Sequence, residues 1–152
     1  NAGKLVETLN AEGFEARVAE NVDDEIGQAD IVSCATISST ALVHGSRLKP
    51  GTHVDLVGAF APTMRESDDE AIRRARVYVD TYAGATKEAG DIVQALESGA
   101  LARQEIQADL YELCRGQKQG RGSEDEVTLF KSVGAAIEDL AAGIAVWEKV
   151  GL

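Results

Sequence analysis

A chain of 152 residues with 44% apolar side chains has the material for one buried core. Few aromatics, 15 glycines and plentiful Ala and Val suit close packing of helices on a sheet better than an aromatic-rich sandwich. A formal net charge of −11 without a basic stripe argues against a nucleic-acid partner, and no stretch approaches the ~20 apolar residues that cross a bilayer, so an acidic cytoplasmic protein is expected.

Residues 2–12 put Leu5, Val6 and Leu9 on one helical face, and Gly13 closes the helix. Residues 14–19 alternate like a short strand, and a brief acidic helix follows over 23–28. Residues 30–36 are apolar without alternation, as in a parallel strand covered on both faces, and Ser38, Ser39 and Thr40 form a polar loop at its end. The turn residues Pro50 and Gly51 lead into a second buried strand over 52–58. Residues 68–75 form a helix with acidic residues at its start, which the helix dipole favours, and 76–80 form a third strand. Residues 87–98 and 103–114 suggest two helices separated by Gly99. A polar, Gly-rich loop over 116–123 precedes a strand at 126–131. From Val133 and Gly134 a long helix runs to Lys149, with Ala135, Ala136, Leu140, Ala141, Ile144 and Ala145 on a small-residue face. Strands and helices alternating in units this short predict an α/β, doubly wound, Rossmann-like parallel sheet.

Ligands of an open α/β sheet bind beyond the carboxyl ends of its strands. Three loops qualify: residues 36–40, 58–66 and 131–134. Each combines a small residue, which admits a backbone close to a ligand, with groups able to hydrogen-bond. The first reads equally as turn chemistry or as a ligand loop. Gly58 and Ala59 after an apolar strand lean toward a ligand. Arg65 and Glu66 suggest a surface ion pair, Ser132 either a helix cap or a ligand contact, and Glu88 and Asp91 polar decoration of a helix. Cys34 lies in an apolar run as a buried structural thiol. Cys114, His44 and His53 have no partners at metal-ligand spacing, so no metal is expected.

No G-x-G-x-x-G follows a strand, although in a doubly wound domain that element, which seats the pyrophosphate on a helix N-terminus, follows the first strand. The sequence also starts without Met on a helix that should follow the second strand. The expectation is a domain lacking its first strands, and a fragment or processed piece.

Three ordered stretches carry a resemblance: ADIVSCATISSTALVHGSRLKPGTHVDLVGAFAPTMRESDDE at 29–70, VYVDTYAGATKEAGDI at 77–92 and GRGSEDEVTLFKSVGAAIEDLAAGIAVWEK at 120–149. Together they resemble the C-terminal half of the ornithine cyclodeaminase/mu-crystallin family. The resemblance implies a partial NAD(P)-binding Rossmann domain over 1–133. It also implies a C-terminal helix over 134–152 that packs on an N-terminal half bearing the dimerisation and substrate elements. It places Thr36 in the loop beside the cofactor, Val57, Gly58, Ala59 and Phe60 along the nicotinamide side, and Ser132 on the cofactor. Val133 and Phe60 face the substrate, and Asn1 lies where adenosine-ribose contacts are made. No catalytic residue is assigned within this chain.

One departure selects a branch. Cyclodeaminases of the family carry an aspartate where this sequence has Phe60, which can neither accept a proton nor pair with an ammonium. The stretch GAFAPTMRE instead resembles the branch that reduces cyclic imino acids. The implied activity is NADPH- or NADH-dependent reduction of Δ1-pyrroline-2-carboxylate or Δ1-piperideine-2-carboxylate to proline or pipecolate, by a homodimeric full-length protein. The alternatives are a cyclodeaminase-like or alanine dehydrogenase-like enzyme, and a mu-crystallin-like NADPH-dependent binder of a small ligand. By itself the chain is expected to bind dinucleotide weakly and to catalyse nothing.

Overall fold

The computed structural model describes residues 1–151. Helix α1 (Ala2–Ala11) ends where Gly13 takes a positive φ of 92°. The short helix α2 (Val22–Ile26) begins at Asn21, whose side chain accepts from Asp23 N, and concentrates Asp23, Asp24 and Glu25 in its first turn. Five strands follow: β1 (Ile31–Cys34), β2 (His53–Leu56), β3 (Ala75–Val79), β4 (Ile106–Asp109) and β5 (Val127–Lys131). Between them lie α3 (Asp69–Arg74), α4 (Tyr82–Ala85), α5 (Gly90–Ser98) and α6 (Leu110–Cys114), with single 3-10 turns at Gly45–Arg47 and Arg103–Glu105. Helix α7 (Ala136–Val150) closes the chain. The sequence-predicted helix over 134–152 includes Leu152, which lies outside the described residues.

All pairings are parallel, and the sheet order is β1-β2-β5-β3-β4. The doubly wound α/β expectation therefore holds, and parallel pairing brings every strand's carboxyl end to one edge. Side chains alternate across each strand. Val54 and Leu56 of β2, Leu129 of β5, Val77 and Val79 of β3 and Ile106 of β4 share one face. There they pack with Ile72 of α3, Ala85 of α4, and Ile92 and Ala95 of α5. The opposite face carries two rows in register: Ile31, His53, Thr128 and Arg76, then Ser33, Asp55, Phe130 and Tyr78. This face mixes polar with apolar side chains and is only partly covered. Ser33 Oγ donates to Asp55 Oδ2 at 2.9 Å, and His53 Nδ1 lies 2.8 Å from Thr128 Oγ1.

Four expectations change. Residues 14–19 form no strand: their alternation survives, but no neighbouring strand pairs with them, and Phe14 and Val18 stay exposed. The segment over 30–36 shortens to β1 at the sheet edge. It is not covered on both faces, and Ile31 is 68% exposed. The predicted helix over 103–114 divides into a 3-10 turn, β4 and α6. Ile106 points to the core from β4, Ala108 is buried beside Tyr78, and a capping box between Asp109 and Glu112 starts α6. The helix over 87–98 begins later, at Gly90, because Thr81 caps the separate α4 and Ala89 is extended.

Candidate dinucleotide site at the carboxyl edge

The loops after β1, β2 and β5 meet because those strands are adjacent. Leaving β1, Cys34 O accepts from Val57 N at 2.8 Å, and Thr36 O accepts from Ala59 N at 3.3 Å. Leaving β2, Leu56 O accepts from Ser132 N at 3.0 Å. Thr36, Val57, Gly58, Ala59, Phe60, Ser132 and Val133 thus gather on one edge, as the sequence predicted. Asn1 is not drawn in: it is exposed, and its recorded backbone bond is the helical one from Leu5 N.

Each loop has an anchor behind it. A Cβ on Gly58 would overlap the backbone N and O of Thr36 and Oε1 of Glu66, so only glycine lets these two loops close up. Ala59, fully buried, has a φ of 47°, and its carbonyl accepts from Gly90 N at 2.9 Å. The buried Asp80, at the end of β3, organises the β5 loop. Its Oδ2 accepts from Val133 N at 2.8 Å, Gly134 N at 2.9 Å and Ser132 Oγ at 3.2 Å, while Oδ1 accepts from Thr81 N at 2.6 Å. Ser132 therefore does not cap α7, whose N-cap is Ala135.

Several charged residues read from sequence as surface groups lie inside. Arg65 pairs with Asp69 rather than Glu66. Glu66 is buried and accepts from Thr36 N at 2.6 Å. Asp91 does not decorate a helix: it is buried and accepts from Glu66 N at 2.9 Å and Ser67 N at 2.7 Å. Lys131, which opens the third of the candidate loops, is buried as well. Charged residues within apolar or glycine-bearing segments were the available signal, since such groups are almost never fully buried unless paired. Cys34 is half-buried, and burial together with Glu66, Asp91 and Asp55 pushes its thiol up to about 11, which disfavours a nucleophilic role.

With polar groups turned inward, the loops present apolar side chains outward: Ile37 is 78% exposed, Val57 47% and Phe60 52%. An exposed apolar platform on a hydrogen-bonded frame, at the carboxyl edge of a parallel sheet, fits a flat heteroaromatic ring. A separate cavity of about 390 Å³ lies on the open sheet face, between Tyr78, Phe130, Leu110 and Arg121, away from these loops.

The ornithine cyclodeaminase/mu-crystallin family matches residues 1–151. The chain belongs to this family. Among its relatives, Protein SAR DEFICIENT 4 of Arabidopsis thaliana is 43% identical over 151 residues, covering 97% of this chain and 46% of that protein. The Delta(1)-pyrroline-2-carboxylate reductase of Paracoccus denitrificans is 41% identical over 141 residues, covering 91% of this chain and 44% of the enzyme. The Thermococcus litoralis Delta(1)-pyrroline-2-carboxylate reductase, solved with NADH and L-proline, superposes with a TM-score of 0.89 at 34% identity, covering 97% of this chain and 45% of that one. The chain thus spans a little under half the length of the family members it matches.

Proposed function

We propose that this chain forms the nicotinamide side of an NADH- or NADPH-dependent reductase, whose substrate is a cyclic imino acid such as Δ1-pyrroline-2-carboxylate. The observation that carries the reading is the loop after β2. There Gly58 and Ala59 are locked against β1, and apolar Phe60 stands exposed at the position where cyclodeaminases hold an aspartate. Likeness to a reductase solved with NADH and L-proline supports the same branch.

When bound, a reduced nicotinamide supplies a hydride to the substrate's C=N carbon. The residues of this chain hold the geometry for that transfer. Thr36 and Ser132 offer hydroxyls at the loop ends, Val57 and Phe60 offer apolar surface to the ring and exclude water, and Val133 faces the substrate. The proton that completes the amine comes from water or from parts of the whole protein outside this chain. The exposed α7 packs, on this reading, against an N-terminal half that carries the substrate anchors and pairs two subunits into a dimer. Two free thiols suit a reducing, cytoplasmic setting.

The test is to assay the whole protein for NADH and NADPH oxidation with Δ1-pyrroline-2-carboxylate, beside ammonia release from ornithine and reductive amination of pyruvate. Oxidation with the cyclic imine should dominate. Ammonia from ornithine without imine reduction would overturn the reading. Dominant pyruvate amination would favour an alanine dehydrogenase, and tight imine binding without turnover would favour a ligand-binding protein.

A further inference from the structure

Behind the loops, Lys131 is 0% exposed at the end of the central strand β5. Its Nζ donates to Leu56 O at 3.2 Å, to Ser132 O at 2.7 Å and to Gly58 O. Three donated bonds from one nitrogen need three N–H groups, which an ammonium has and a neutral amine lacks. Leu56 O keeps a second donor in Ser132 N, whereas Gly58 O and Ser132 O have no other donor among the described residues. Beside the Ser132 N–Leu56 O bond, the Lys131 ammonium therefore links the backbone after β2 to the backbone after β5.

Two buried carboxylates oppose this charge. Glu66, 0% exposed, accepts from Thr36 N at 2.6 Å through Oε1 and so holds the loop after β1. Asp91, 0% exposed, accepts through Oδ1 from Glu66 N, Ser67 N and Ser67 Oγ, and so holds the Glu66 backbone in place. The second oxygens, Glu66 Oε2 and Asp91 Oδ2, are buried without a donor among the described residues. An isolated buried ammonium would be costly, and the carboxylates offset that cost.

We propose that Lys131, supported by Glu66 and Asp91, is a positioning residue that fixes the spacing of the three loops facing the dinucleotide. The proposal rests on the dinucleotide reading and adds the group that sets its geometry. Lys131 touches neither substrate nor cofactor; it acts through the carbonyls of Gly58 and Ser132. Burial pushes its ammonium below the ordinary lysine range, while Asp91 of α5, Glu66, Asp80 at the end of β3 and Asp55 of β2 push it back up.

The experiment uses Lys131→Met and Glu66→Gln in the whole protein, with Ile106→Val in β4 as a core control. The readouts are NADH affinity by fluorescence titration across pH, steady-state kcat and KM, and Tm. Lys131→Met removes the only donor, among the described residues, to the buried Gly58 carbonyl and the partly buried Ser132 carbonyl, so NADH affinity should weaken about tenfold when measured well below its Tm. Ile106→Val should lower Tm and leave NADH affinity unchanged. Glu66→Gln keeps an acceptor for Thr36 N but removes a charge that holds the lysine proton. The alkaline limb of NADH binding should then move to lower pH. Lys131→Met that folds and binds NADH like the wild type overturns the proposal. If that variant fails to fold, an unmoved alkaline limb in Glu66→Gln overturns it. Wild-type protein that binds no NADH at all overturns the dinucleotide reading, and the proposal with it.

Discussion

Gly58 and Ala59 are neighbours in one loop and make opposite demands on their side chains. Gly58 is buried and is met on two sides, by the Thr36 backbone and by the Glu66 carboxylate, where a methyl group would sit. Backbone cannot yield as a flexible side-chain end can, so Gly58→Ala should cost about 1–3 kcal/mol, the range of core overpacking, or more. Ala59 carries a φ of 47°, which costs an L-residue about 1–2 kcal/mol. Replacing it by glycine relieves that strain. The same change loses roughly 0.8 kcal/mol of methyl burial and about 0.5–1 kcal/mol to unfolded-state entropy. The terms nearly cancel, so Ala59→Gly should lie within about 1 kcal/mol of wild type. Urea unfolding of the two variants checks the contrast. A Gly58→Ala protein as stable as the parent, or a large loss in Ala59→Gly, would show that the loop is not held as described.

Among the elements, β4 and α6 show how much tertiary context decides. Residues 103–114 contain Gln, Glu, Ala and Leu, all good helix formers, and propensity alone joins them. Pairing with β3 instead recruits Ile106 to Asp109 into the sheet. The switch back to helix is local: Asp109 Oδ1 accepts from Glu112 N at 2.9 Å, and Glu112 Oε2 accepts from Asp109 N at 3.3 Å and from Tyr82 Oη at 2.7 Å. Asp109→Ala removes the cap and should cost about 0.5–2 kcal/mol, while Asp109→Asn, which keeps an acceptor, should recover most of it. Chemical denaturation of the pair tests this; equal losses would mean that charge, not capping, is what matters. The same logic sorts the rest of the fold. Apolar residues between turn residues made β2 and β5 readable, because Val54 and Leu56, and likewise Val127 and Leu129, build the core face at every second position. Residues 14–19 alternate as a strand should, yet a strand exists only beside another. The loops of the site were readable from strand ends alone. Glu66, Asp91 and Lys131 were not, because each looks like a surface charge until three-dimensional contacts supply its partners.

At the scale of the molecule, the open features lie on surfaces that the sequence had marked as apolar. Helix α7 has no buried residue, and Leu140, Ile144 and Trp147 lie on one face at spacings of four and three. They are 62%, 49% and 61% exposed. A stripe of this kind on an otherwise acidic chain is the signature of a surface that meets another surface. On the proposed reading that surface belongs to another part of the whole protein. Trp147 makes the idea measurable, because it is the single tryptophan of the sequence. In the 152-residue chain at low concentration, its emission should be that of a solvated indole and acrylamide should quench it readily. In the whole protein, the emission should shift to the blue and quenching should fall. Replacing Leu140 and Ile144 by polar residues should leave the isolated chain's Tm nearly unchanged, since neither touches its core, yet should lower the stability of the whole protein. A Trp147 already shielded in the dilute, monomeric chain would mean that α7 folds back on its own sheet, and the partner surface would have to be sought elsewhere.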